Sequence, residues 1–170
     1  MTRLRPIVEA DLPTLERQNV DPEAAGEMSW FGFRNLGSLA RRLASGDLIG
    51  EEQGKLGIVD DDGHLVGEVG WIRVMNGPPP NGYAWNIGIW VVPEQRGKGH
   101  GAEAQRLMAA YLFEHTYLER VEAGTEADNV AEQRALEKAG FTREGVLRRA
   151  CFRGGAWRDM VVYSKLRGEP

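Results

Sequence analysis

The segment that most constrains the fold of this 170-residue chain reads Val91-Val92-Pro93-Glu94-Gln95-Arg96-Gly97-Lys98-Gly99-His100-Gly101. It follows an apolar run from Trp85 to Val92 and precedes a helical pattern that begins near Ala102. A strand therefore ends, a loop rich in glycine and cations turns, and a helix starts. Several backbone N–H groups, a helix N-terminus and adjacent cations are thereby offered to one anionic group. A pyrophosphate is the natural guest.

A chain of this length is expected to form one domain over 1–170, long enough to bury a sizeable core. Its net charge of -4 argues against a general nucleic-acid binder, which carries a basic stripe. A basic loop in an acidic chain points instead to a small anionic ligand. Cys151 is the single cysteine, so no internal disulfide framework is expected. His64, His100 and His115 are too dispersed for a metal site. No N-terminal apolar segment reads as a signal peptide and no run approaches the ~20 residues of a membrane helix, so the cytoplasm is the expected compartment.

Along the chain, Thr2 to Ile7 reads as an edge strand, and Asp11 is placed to cap the helix that follows. Leu36, Leu39, Ala40 and Leu43 recur at helical spacing. Lys55–Asp60 and Leu65–Val74 are strand-like about an Asp61-Asp62-Gly63 turn, and 76–82 reads as a loop. Tyr83–Val92 is a strand, and the helix Ala102–Thr116 places Leu107, Met108, Tyr111 and Leu112 on one face. A strand near Arg120–Thr125 precedes a helix from Val130 to Ala139 with Gly140 as its left-handed cap. Val146–Phe152 and Trp157–Leu166 form a final hairpin turned at Gly154-Gly155. The order is that of a mixed α/β domain around one sheet.

Two nucleotide fingerprints fail at the loop. G-x-G-x-x-G is broken because position 104 is alanine, and no glycine precedes a Lys-Ser or Lys-Thr pair as a P-loop requires. The pattern [Arg/Gln]-x-x-Gly-x-[Gly/Ala] does match, through Arg96, Gly99 and Gly101. With Ile87-Gly88-Ile89-Trp90-Val91-Val92-Pro93 before it, Asn129 and Leu136-Glu137-Lys138-Ala139-Gly140-Phe141 after it, and Gly145–Arg148 and Gly155–Tyr163 at the end, the chain resembles the GNAT superfamily of acetyl-CoA-dependent N-acetyltransferases. Within it, the nearest resemblance is to the group of ribosomal-protein N-terminal and spermidine acetyltransferases.

The resemblance implies a GNAT fold: a mixed, mostly antiparallel sheet with a splayed parallel strand pair, flanked by about four helices. It implies acetyl-CoA as co-substrate and no metal. Pantetheine would lie between the splayed strands, held by backbone at Ile89, Trp90 and Val91, which would also polarise the thioester carbonyl. Amides of Gly97, Lys98, Gly99, His100, Gly101 and Ala102 would cradle the pyrophosphate, with charge from Arg96 and Lys98. Asn129 is implied as a pantetheine contact, while its spacing to Glu132 equally makes a helix cap.

Acetylating an amine requires a base. Glu68, mid-strand between small residues, is the first candidate, against the reading of a glutamate on a solvent-facing strand surface. Asn86 stands where many relatives have glutamate and would position water or substrate; by alternation it shares a face with Trp90. Glu122 is an alternative base that reads as a surface residue. Leu136 occupies the position of the family's acidic tyrosine, which leaves the general acid unassigned. Tyr163 could reach the site from the last strand as that acid but reads as a buried structural tyrosine; Cys151 reads as structural, and so does His115, on an apolar helix face. Trp30, Phe31, Phe33 and 78–81 would rim the acceptor side. The acceptor is expected to be a protein N-terminal α-amine, with a polyamine or amino-bearing antibiotic as the alternative. A non-catalytic CoA-binding sensor is the reading from another class, and a homodimer stays open.

Overall fold

The computed structural model describes residues 1–170. Its strands are β1 (Arg3–Arg5), β2 (Gln53–Val59), β3 (Leu65–Met75), β4 (Tyr83–Val91), β5 (Arg120–Glu126), β6 (Thr142–Arg153) and β7 (Ala156–Leu166). They form one sheet in the order β1-β2-β3-β4-β5-β7-β6. Every neighbouring pair is antiparallel except β4 and β5. The helices are α1 (Leu12–Arg17), α2 (Pro22–Ala25), α3 (Ser38–Ala44), α4 (His100–His115) and α5 (Val130–Lys138). These five helices agree with the expected about four, with one single-turn helix more. The extra one, α2, is a single turn started by Pro22 and capped by Asp21, whose carboxylate accepts from the amides of Glu23 and Ala24.

Strand alternation divides the sheet between two cores. Val69, Trp71, Trp85, Ile87, Val121 and Ala123 pack under α4 and α5, against Met108, Ala109, Leu112 and Leu136. The other face carries a smaller cluster of Ile7, Leu15, Leu48, Trp90 and Val92 beneath α1 and α3. The buried stripe of α4 is Ala104, Gln105, Met108, Ala109 and Leu112; Leu107 and Tyr111 lie at its margins, half-buried. His115 is exposed and stacks on Tyr111 instead of entering an apolar face.

Local chemistry set most boundaries as expected. Gly140 ends α5 at φ 84°, and Gly154 and Gly155, at 58° and 77°, turn the last hairpin through the left-handed pair that a two-residue loop requires. Asp11 departs from its expected role. Its carboxylate accepts from Arg5 at 2.6 and 2.9 Å and from the Val8 amide at 2.9 Å, so it ties β1 to the following turn and makes no cap bond to α1. Near the hairpin turn, buried Arg153 pairs with Glu126 at the end of β5 and donates to the Glu27 carbonyl at 2.9 Å. That bridge fastens the hairpin to the segment after α2. No helix is long and apolar enough to cross a membrane.

Candidate active site

β4 and β5 stay in register for only three pairs, Trp85–Val121, Asn86–Glu122 and Ile87–Ala123. Beyond them the strands diverge, and Gly88 to Val91 faces Gly124 to Glu126 across a cavity of about 700 Å³. Its size suits a small-molecule site. The walls come from α4 through Gly101, Ala102 and Gln105, from α5 through Glu132 and Ala135, and from the hairpin through Cys151 and Met160. The Trp90 indole turns away and donates to the Ala24 carbonyl at 3.1 Å, so its backbone is what meets the gap.

The glycine-rich loop closes one end of this cavity. The Arg96 amide is bonded to the Pro93 carbonyl, and the Glu103 amide to Gly99. Between them the six amides from Gly97 to Ala102 make no hydrogen bond within the chain. Gly97 and Gly99 hold left-handed conformations, φ 76° and 89°, and Gly99 serves as N-cap, so α4 starts at His100 and not at Ala102. Gly97, Gly99, Gly101 and Ala102 line the cavity. The side chains of Lys98 and His100 point elsewhere: Lys98 donates to Gln95 at 2.8 Å, and His100 Nδ1 lies 3.0 Å from the Thr2 hydroxyl. The Arg96 guanidinium is already engaged, donating to the carbonyls of Val91, Ala24 and Ala25 at 2.9, 3.0 and 3.0 Å. It packs beneath Gly26, where an added Cβ would lie 2.5 Å from it. Arg96 thus anchors the loop to α2 while lining the cavity, its charge paired with no carboxylate.

Asn129 lines the cavity and also caps α5, its Oδ1 accepting from the Glu132 amide at 3.3 Å. The two readings of this residue are compatible. Glu132 completes no capping box; its side chain lies half-buried in the cavity wall, where burial pushes its carboxyl up to about 7, with Gln105 opposing. An unfolded glutamate titrates near 4.5, so the folded chain holds this proton more tightly. The associated stability is complete below about pH 4.5 and is lost as pH rises through about 7. Glu132→Gln is neutral throughout, so its Tm relative to the parent is expected to rise between pH 5 and pH 8. Parallel Tm–pH curves would contradict the assignment.

A second cavity, about 380 Å³, opens on the α1–α3 side and meets the first at Gly88, Ile89, Trp90, Met28, Ser29 and Phe31. Glu68 lies in it and is buried, contrary to the solvent-facing reading. The short helices cover this face of β3. Its Oε1 accepts from Lys55 Nζ at 2.7 Å and from Gln18 at 3.1 Å, while Oε2 is buried with no partner. Glu68 stands opposite Trp90, and Asn86 opposite Ile72, on the same sheet face. Between those pairs Gly70 faces Gly88 and leaves the floor bare of side chains. A Cβ on Gly88 would meet nothing within 4 Å. Phe31 lines both cavities; Trp30 and Phe33 stack on each other at 5.2 Å, and neither they nor 78–81 reach the lining.

Glu122 is buried rather than superficial, but Arg120 and Asn76 occupy its Oε1. Leu136 is in the core and no tyrosine lines either cavity; Tyr163 is buried and donates to Glu137 at 3.1 Å. Lys55, Gln18, Gln105 and the cleft-facing carboxyl of Glu132 are not legible as site residues in the sequence, since each depends on contacts between distant segments. Only Glu132 had a local cue, the glutamate three residues after a cap. Asp60, Asp62 and His64 bring carboxylate and imidazole atoms within 4.8 Å of one another. That cluster is an exposed turn in which Asp60 accepts from the amides of Asp62 and His64.

Residues 2–142 match the acetyltransferase (GNAT) domain family. The Bacillus subtilis protein named Probable N-acetyltransferase YjcK is 35% identical over 105 residues, 62% of this chain and 56% of that protein. The chain thus spans little more than half that relative's length. The spermidine N-acetyltransferase of Vibrio cholerae, solved with CoA and spermine, superposes with a TM-score of 0.82 at 20% identity, over 99% of this chain and 96% of that one. A ribosomal-protein-S5-alanine acetyltransferase from Vibrio fischeri gives 0.74 at 20% identity, over 98% and 93%. These two likenesses establish the fold.

Proposed function

The chain belongs to the GNAT acetyltransferase family, and on that premise we propose that it transfers acetyl from acetyl-CoA directly to a primary amine bound in the second cavity. The observation that carries this reading is the run of six unpaired amides, Gly97 to Ala102, at the start of α4 and the end of the splayed cleft. Backbone donors and a helix N-terminus suit a pyrophosphate, and the unpaired strand edges beyond Ile87 and Ala123 suit the amides of pantetheine. The thioester would then lie near Gly88 to Trp90, where the two cavities meet. Backbone there would polarise its carbonyl as negative charge develops.

Glu68 would take the proton from the attacking amine; its Oε2, buried without a hydrogen-bond partner, supports that reading. Asn86, on the same face, would orient water or the acceptor. With no tyrosine in the lining, the thiolate leaves either unaided, its thiol having a pKa of ~8.5, or with a proton from solvent. A protein N-terminal α-amine is the leading acceptor and a small-molecule amine the alternative. Incubating the chain with acetyl-CoA and a panel of amines is expected to release free CoA thiol with at least one of them. Tight acetyl-CoA binding without turnover on any amine would favour a CoA-binding sensor instead.

A further inference from the structure

The second cavity is not electrically neutral. Its lining holds Glu68, Lys55, Arg34 and Arg42 as the charged residues, three cations to one carboxylate. Lys55 is matched by Glu68 at 2.7 Å. Neither arginine pairs with a carboxylate: Arg42 donates only to the Asp47 carbonyl at 3.0 Å, and the Arg34 side chain makes no hydrogen bond. Both arginines line the cavity from 31–44, Arg34 exposed and Arg42 half-buried, and the buried, half-satisfied carboxylate stands beside Trp90 at the junction with the cleft.

We infer that the acceptor is a primary amine carrying an anionic group of its own, with the amine at Glu68 and the anion at Arg34 and Arg42. Planar guanidinium groups bind carboxylates bidentately, and such charge-assisted bonds gain strength inside a cavity. Phe31 and Ile72 supply apolar wall for the part between the two ends. A polyamine fits poorly, because its second ammonium would be driven toward two unneutralised arginines. The same chemistry is offered by a free amino acid and by a peptide N-terminus followed by an acidic residue. This inference rests on the acetyltransferase reading above.

The test uses matched acceptors that differ only in a carboxylate against its amide: amino acids with their amides, and short peptides with aspartate or asparagine second. Calorimetric titration with acetyl-CoA is run alongside CoA release. The anionic member of each pair is expected to have kcat/KM higher by roughly 10–100-fold, mainly through KM, and spermidine to fall below both. Arg34→Gln with Arg42→Gln should raise KM for the anionic member by a similar factor and bring the pair together. The pair that shows the preference, amino acid or peptide, identifies the source. Acetyl-CoA binding with equal turnover of both members, or preference for spermidine, would overturn the inference and leave the acetyltransferase reading intact. Failure to bind acetyl-CoA would overturn both.

Discussion

Glu68→Gln is expected to lower kcat by about 10²–10⁴-fold at pH 7 while leaving acetyl-CoA affinity near that of the parent, since the residue lines the acceptor cavity and not the donor cleft. Glutamine keeps the shape and can still accept a hydrogen bond from Lys55 or Gln18, but it cannot remove a proton. The size of the loss depends on the amine. A side-chain-type amine of pKa ~10.4 is neutral in roughly one molecule in 2,500 at pH 7, and a protein α-amine of pKa ~7.7–8.0 in roughly one in ten. A base is worth more to the first than to the second.

That dependence separates base catalysis from simple loss of packing. As pH rises toward the pKa of the amine, the neutral nucleophile accumulates without help. The deficit of Glu68→Gln should shrink accordingly, and it should be smallest with an aromatic amine already neutral at assay pH. A deficit constant across pH and across amines would assign Glu68 a structural role. Unchanged turnover would remove it from the mechanism.

What the sequence made legible follows the range of the interactions concerned. Gly140, Gly154-Gly155 and the Asn129 cap depend on chemistry within a few residues, and they appear where expected. The strand-loop-helix unit around Gly97–Gly101 is equally local. The burial of Glu68 could not be read from β3, because small neighbours and a lone carboxylate fit a solvent-facing strand equally well. It is decided by α1 and by Gln18 just after it, fifty residues away in sequence. Arg96 makes the same point in reverse. Its position in the loop suggests a free cation, but the carbonyls of Ala24 and Ala25 claim its guanidinium, and Gly26 leaves the room for it. Asp11, placed like a cap, is captured by Arg5. Where a polar side chain has a long reach, tertiary partners override the local pattern.

Gly101→Val is the sharpest test of the donor site, because its consequences for fold and for ligand separate. Gly101 does not adopt a left-handed φ, and a Cβ there would meet Ile89 and Val91 only at an ordinary 4.0 Å. A valine in the first turn of α4 is therefore tolerated, and Tm should stay within about 3 °C of the parent. The cavity-lining backbone at this position, however, would lose its open approach to the anion, and the neighbouring amides would be shielded by two methyl groups. Each charge-assisted bond lost costs about 1.5–3 kcal/mol, so losing two should raise the Kd for acetyl-CoA by at least about 100-fold in a calorimetric titration. Gly99→Val is the less informative variant, since a β-branched residue at φ 89° is strained whatever binds. Acetylpantetheine, which lacks the pyrophosphate, supplies the control. The preference for acetyl-CoA over acetylpantetheine should collapse in Gly101→Val, and an unchanged ratio with unchanged Kd would move the pyrophosphate away from this loop.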